Sequence, residues 1–144
     1  MSTLDALQAA LAGEHACIYG YGLVGAHVSD GAADRARDAY EIHRARREEL
    51  NRQIRLRRAE PVAALPAYVV PIEVDGNTSA RELAGLLEQR LAVLYADLLS
   101  ATSVPALREL ALATLIETAV LAARWTGDTT ALPGIDQVPD PSIP

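Results

Sequence analysis

The chain has 144 residues, half of them apolar, with a net charge of −6, a single cysteine and neither phenylalanine nor lysine. That length supports one domain whose core needs no disulfide or metal to fold, and the acidic balance argues against nucleic acid as the main partner. The lone Cys17 excludes an internal disulfide, no apolar run reaches the ~20 residues of a membrane helix, and no basic leader opens the chain, so a cytoplasmic protein with no membrane partner is expected.

The first predicted helix covers about residues 3–28, with Ser2 or Thr3 as cap and Asp5 close behind. Leu4, Leu7, Leu11, Glu14, Ile18, Tyr21 and Gly25 recur at steps of three and four, the period of one buried helix face. Glu14 therefore points inward, where a carboxylate must be paired, hydrogen-bonded, metal-bound or neutral. Cys17 falls on the shoulder of the same stripe and reads as a buried or half-buried small residue. Gly20-Tyr21-Gly22-Leu23-Val24-Gly25 matches the dinucleotide fingerprint G-x-G-x-x-G, which works only where a strand feeds the glycines and a helix starts on them. Here helical spacing runs through them, and the expected role is close approach of another helix.

Ser29-Asp30-Gly31 makes a turn into a second helix over about residues 32–58, which holds nine of the thirteen arginines, interleaved with acids. Its inner stripe is read as Ala36, Tyr40, His43, Arg47, Leu50 and Ile54. In an antiparallel hairpin about Gly31, Glu14 and Arg47 come to nearly the same height, and a buried Glu14–Arg47 pair is the expectation.

Residues 59–78 contain Pro61, Pro66 and Pro71, which forbid one continuous helix and suit a connection long enough to run the height of a bundle. A third helix over about residues 79–99 carries Leu83, Leu87, Leu91, Leu94 and Leu98 on one face, with Glu88 on its shoulder. A fourth, over about residues 104–126, opens with Pro105 and is apolar nearly all round, so it must be central or covered by another chain. The expected organisation is an all-α bundle over residues 1–127 with one long crossover between helices 2 and 3, followed by an extended proline-rich tail over residues 128–144.

Helices joined short, long, short have the connectivity of ferritin-like bundles. Glu14-His15-Ala16 running into Tyr19-Gly20-Tyr21-Gly22, His43-Arg44-Ala45-Arg46-Arg47, Ala67-Tyr68 before Pro71, Ala123-Arg124-Trp125 and Pro133-Gly134 together resemble the ferritin-like domain-of-unknown-function family 4439. The resemblance implies a ferritin-like four-helix bundle and brings no established activity.

Ferritin-like di-iron proteins use a Glu from each of two helices and a Glu-x-x-His pair from each of the other two. This sequence has no Glu-x-x-His: His43 is preceded at that spacing by Tyr40, and Glu117 is followed by Val120. His15 and His27 have no ligand set around them. The expectation is a structural or interaction module without metal or cofactor, homo-oligomeric through its fourth helix with a dimer favoured. The competing expectation is a small-molecule binder or enzyme, a degenerate carboxylate-metal site included, in which Glu14, Arg47, His43, Tyr21 and Tyr40 converge in the bundle interior.

Overall fold

Four α-helices and no strand make up the regular structure of the computed structural model, which describes residues 1–129 and 133–135. The first, α1 (Thr3–His27), begins on a capping box: the Ser2 hydroxyl accepts from the Asp5 amide at 3.1 Å, and the Asp5 carboxylate accepts from the Ser2 amide at 3.1 Å. A two-residue turn leads into α2 (Asp30–Leu56), where Asp30 takes a φ of 53° to reverse the chain. The third helix, α3 (Asn77–Ala101), starts where the Ser79 hydroxyl accepts from the amides of Asp75 and Gly76. Pro105 opens α4 (Pro105–Thr126), where its missing N–H is not needed, and Gly127 closes it in the left-handed conformation with its amide on the Ala123 carbonyl at 2.8 Å.

The connection over residues 57–76 climbs along α1. The Gln8 side chain holds the backbone of Glu60 and Val62 at 2.7 and 2.8 Å, His15 Nε2 lies 3.1 Å from the Val62 carbonyl, and Tyr68 packs on Tyr19. Val70, Ile72 and Val74 turn inward against the core. This strap delivers the chain to the end of the bundle where α1 finishes, so α3 runs antiparallel to α1 and parallel to α2. Gly20 faces Leu87, Gly13 faces Leu91 and Leu94, and the Thr3 hydroxyl donates to the Ala101 carbonyl at 2.8 Å. Then α4 returns along α3, with the Arg108 guanidinium on the Leu99 carbonyl at one end and Gly85 against Thr126 at the other. The fold is thus an all-α four-helix bundle with one long crossover between α2 and α3.

Packing is uneven around the bundle. The α1 helix lies against α2 and α3, and α3 against α1 and α4, whereas no Cα of α2 comes within 8 Å of α4 among the described residues. Leu7, Leu11, Leu50, Ile54, Leu83, Leu91 and Leu98 form the core, with alanines between them that allow the helices to approach. The expected tail falls largely outside the described residues. Of it, Gly134 sits with a φ of 76° against the Ala92 carbonyl and Ala96 of α3.

Within α1 the fingerprint glycines separate by role. Gly20 is buried against Leu87, where a Cβ would press on the leucine methyls, while Gly22 and Gly25 are exposed with nothing near them. All three lie inside a continuous helix, so none presents a helix N-terminus to a phosphate.

Candidate functional site

At mid-height of the bundle the inward side of α1 supplies Glu14, that of α2 His43, and that of α3 Glu88, all three without solvent exposure. His43 lies between the two acids: Nδ1 is 2.7 Å from Glu14 Oε2 and Nε2 is 3.0 Å from Glu88 Oε1. Two hydroxyls complete the set. Tyr95 of α3 donates to Glu14 Oε1 at 2.6 Å, and Tyr21 of α1 donates to Glu88 Oε1 at 2.5 Å while accepting from Trp125 Nε1 of α4 at 2.9 Å. The result is a continuous hydrogen-bonded chain, Trp125 to Tyr21 to Glu88 to His43 to Glu14 to Tyr95, that touches all four helices. Both His43 nitrogens face carboxylate oxygens, so the ring donates from both as an imidazolium.

The protonation behaviour follows from burial and neighbours. Burial alone would lower the His43 pKa, but the adjacent Cys17 and the hydrogen bonds to Glu14 and Glu88 carry it well above the ordinary histidine value. We attribute the rise to the two carboxylates, because burial pushes the Cys17 thiol up to about 12 and keeps it uncharged. Tyr21 and Tyr95 are both raised, first by burial and then by the charge of the carboxylate each one serves. Glu88 Oε2 is the one buried side-chain oxygen or nitrogen without a partner among the described residues.

A second cation borders this chain, and it is Arg46. Its guanidinium donates to Thr118 Oγ1 at 3.1 Å and to Glu117 Oε2 at 2.9 Å, bridging α2 to α4. Burial opposes its charge, but the field of Glu14, the Glu117 hydrogen bond and the field of Glu88 hold its pKa above the ordinary arginine value. The expected Glu14–Arg47 pair is therefore corrected. Arg47 points away from the interior, its side chain is 28% exposed, and it pairs with Glu48 at 2.7 Å. Tyr40 is also outside the cluster, half-buried beside Arg44. Of the five residues expected to converge, Glu14, His43 and Tyr21 do so; Glu88, Tyr95, Trp125 and Arg46 join them in place of Arg47 and Tyr40.

The arrangement does not fit a di-iron site. Its two interior acids come from α1 and α3, but α2 offers His43 without an accompanying acid, and α4 offers Thr118 inward while Glu117 is largely exposed on Arg46. The imidazole lies between the acids with both nitrogens engaged, instead of sharing one vacant point with them. Among the described residues, no group of three or more His, Cys, Asp or Glu converges on a place for a cation.

Fold and interior together define a class: four-helix bundles whose centre is closed by a carboxylate–imidazolium–carboxylate chain. The chain belongs to the domain-of-unknown-function family 4439, whose sequence pattern it matches over residues 6–137. It is similar in structure to a conserved hypothetical protein, rv2844, from Mycobacterium tuberculosis, with a TM-score of 0.85 and 33% identity over 87% of this chain and 95% of that one. No curated protein sequence matches it. Among the described residues no helix is long and apolar enough to cross a membrane.

Proposed function

We propose that the chain is a ferritin-like bundle that has exchanged metal chemistry for a structural role: a non-catalytic, metal-free module whose outer surface, not its interior, meets other molecules. The observation that carries this reading is the double engagement of His43. A histidine whose nitrogens are both committed to carboxylates has no lone pair for a metal and no free proton-accepting nitrogen for a substrate. The complete burial of Glu14, His43 and Glu88 supports the same reading. The arginines of α2 mostly neutralise neighbouring acids, as in Arg37–Asp34, Arg44–Glu41 and Arg52–Glu49, which supports the absence of a nucleic-acid partner. A cytoplasmic setting belongs to this reading and draws on the single, unpaired and buried Cys17.

The test is elemental mass spectrometry on protein expressed with iron and manganese supplied and purified without chelator. Folded protein carrying far less than one metal per chain is expected, and one or two metals per chain would overturn the proposal. A second reading, a small-molecule binder, draws on a cleft of about 240 Å³ between α2 and α4 that has Arg46 and Tyr95 at its inner end. Native mass spectrometry distinguishes it, since a binder would carry a reproducible organic mass that Tyr95→Phe diminishes.

A further inference from the structure

The α4 helix has two apolar faces, and the described residues cover only one. Leu107, Ala111, Thr118 and Trp125 are buried against the bundle, while Leu112, Ile116 and Val120 stand 47%, 56% and 46% exposed along the opposite side. These three are spaced by four residues and form one ridge. Beside it, a cleft of about 260 Å³ towards α2 has Ile42, itself 38% exposed, on its far wall. A continuous apolar ridge next to a groove of matching chemistry is the form of a contact surface.

We propose that this outer face of α4 joins two copies of the chain, packed antiparallel about a twofold axis near Ile116. The charges select both the partner and the orientation. Glu109 and Arg124 are exposed at the two ends of the ridge, 7 residues before and 8 residues after Ile116, and neither forms a salt bridge among the described residues. The other acid on this face, Glu117, is held by Arg46, and the Arg108 guanidinium is on the carbonyls of Leu99 and Thr102. An axis between Ile116 and Glu117 is about 11 Å along the helix from each free charge, so rotation brings Glu109 of one copy to the height of Arg124 of the other, twice. A parallel pairing would set acid on acid and base on base. The apolar ridge supplies the affinity and the end charges set the register. The proposal is independent of what occupies the bundle interior.

Sedimentation equilibrium at tens of micromolar tests it. Wild type is expected at twice the 15.4 kDa chain mass. Ile116→Asp, at an exposed position, should be monomeric while its far-UV circular dichroism stays as in wild type and its urea midpoint, unlike that of the dimer, does not depend on protein concentration. Glu109→Arg or Arg124→Glu alone should raise the dimer Kd about tenfold or more by setting like charges together at both ends, and the double exchange should return it to within about threefold of wild type. A monomeric wild type overturns the proposal. A dimer that survives Ile116→Asp also overturns it, and so does one that ignores both single charge changes.

Discussion

His43 Nδ1 lies 2.7 Å from Glu14 Oε2, and neither side chain is exposed to solvent. Both groups gave up hydration to reach this position, so their worth lies in their mutual satisfaction and not in either one alone. Glu14→Ala leaves the imidazolium and the Tyr95 hydroxyl without an acceptor and should lower stability by about 3–5 kcal/mol. Replacing Glu14, His43 and Glu88 together by Leu, Met and Leu should cost much less than the sum of the three single changes, because members of one network are not additive. Urea unfolding of the four variants is the measurement; simple additivity would mean that the three do not act as a unit.

The same chain makes stability depend on pH with a definite sign. The folded pKa of His43 is raised above its ordinary 6.5, so its stabilisation is complete below 6.5 and is lost as pH rises towards the folded value. Stability should therefore fall through neutral and mildly alkaline pH at about 1.4 kcal/mol per pH unit from this one proton. Cys17 and the tyrosines act in the same direction above their ordinary values of 9.0 and 10.0. Urea titrations between pH 6 and 9 should show the slope in wild type, and His43→Gln should flatten it.

Arg46 and Arg47 are adjacent in sequence and opposite in consequence. Arg46→Met removes hydrogen bonds to Thr118 and Glu117 and a cation beside two buried acids, and should destabilise by about 1–3 kcal/mol. Arg47→Met removes a partly exposed ion pair with Glu48 and should change stability by less than about 0.5 kcal/mol. Thermal melts of the two single variants decide between this assignment and one with Arg47 inside.

These two arginines also show where the sequence stopped being legible. Helix number, order and the long crossover follow from capping residues, prolines and heptad-like spacing, which are local signals. The phase of the α2 stripe is not local. The sets 36, 40, 43, 47, 50 and 36, 39, 43, 46, 50 are both regular helical faces, and Tyr40 offers more surface to bury than Ala39, so sequence favours the first. The bundle uses the second, with Ala39 buried and Tyr40 half-buried at the edge of the core. Glu88 was misplaced for a related reason. Because α3 packs against both α1 and α4, its buried arc takes in the 84, 88, 91, 95, 98 series as well as the leucine series. An acid that looks like a shoulder of one stripe lies at the centre of the other. Tyr95, about two turns further along that series, carried the available signal.

The glycines of α1 give a prediction that also tests the fingerprint. Gly22→Ala adds a methyl into open space in an exposed helical position and should raise stability by about 1 kcal/mol. Gly20→Ala gains the same helical propensity but drives its Cβ into Leu87, and should gain less or lose. A matched pair of urea midpoints measures the difference; equal gains would mean that α1 and α3 do not approach at Gly20.

Tyr68 to Pro71 cross the α1–α3 seam over a cavity of about 170 Å³ that has Cys17 in its lining, and the cysteine itself is 1% exposed. The only sulfhydryl of the sequence thereby lies beneath the connection between α2 and α3. The rate at which a thiol reagent modifies Cys17, compared with the rate of global unfolding, measures whether residues 57–76 open apart from the helices: modification faster than unfolding is expected, and equal rates would mean that the strap opens only with the whole fold. A topological necessity, the segment that carries the chain from one end of the bundle to the other, is thus also the roof over a sulfur atom it never bonds.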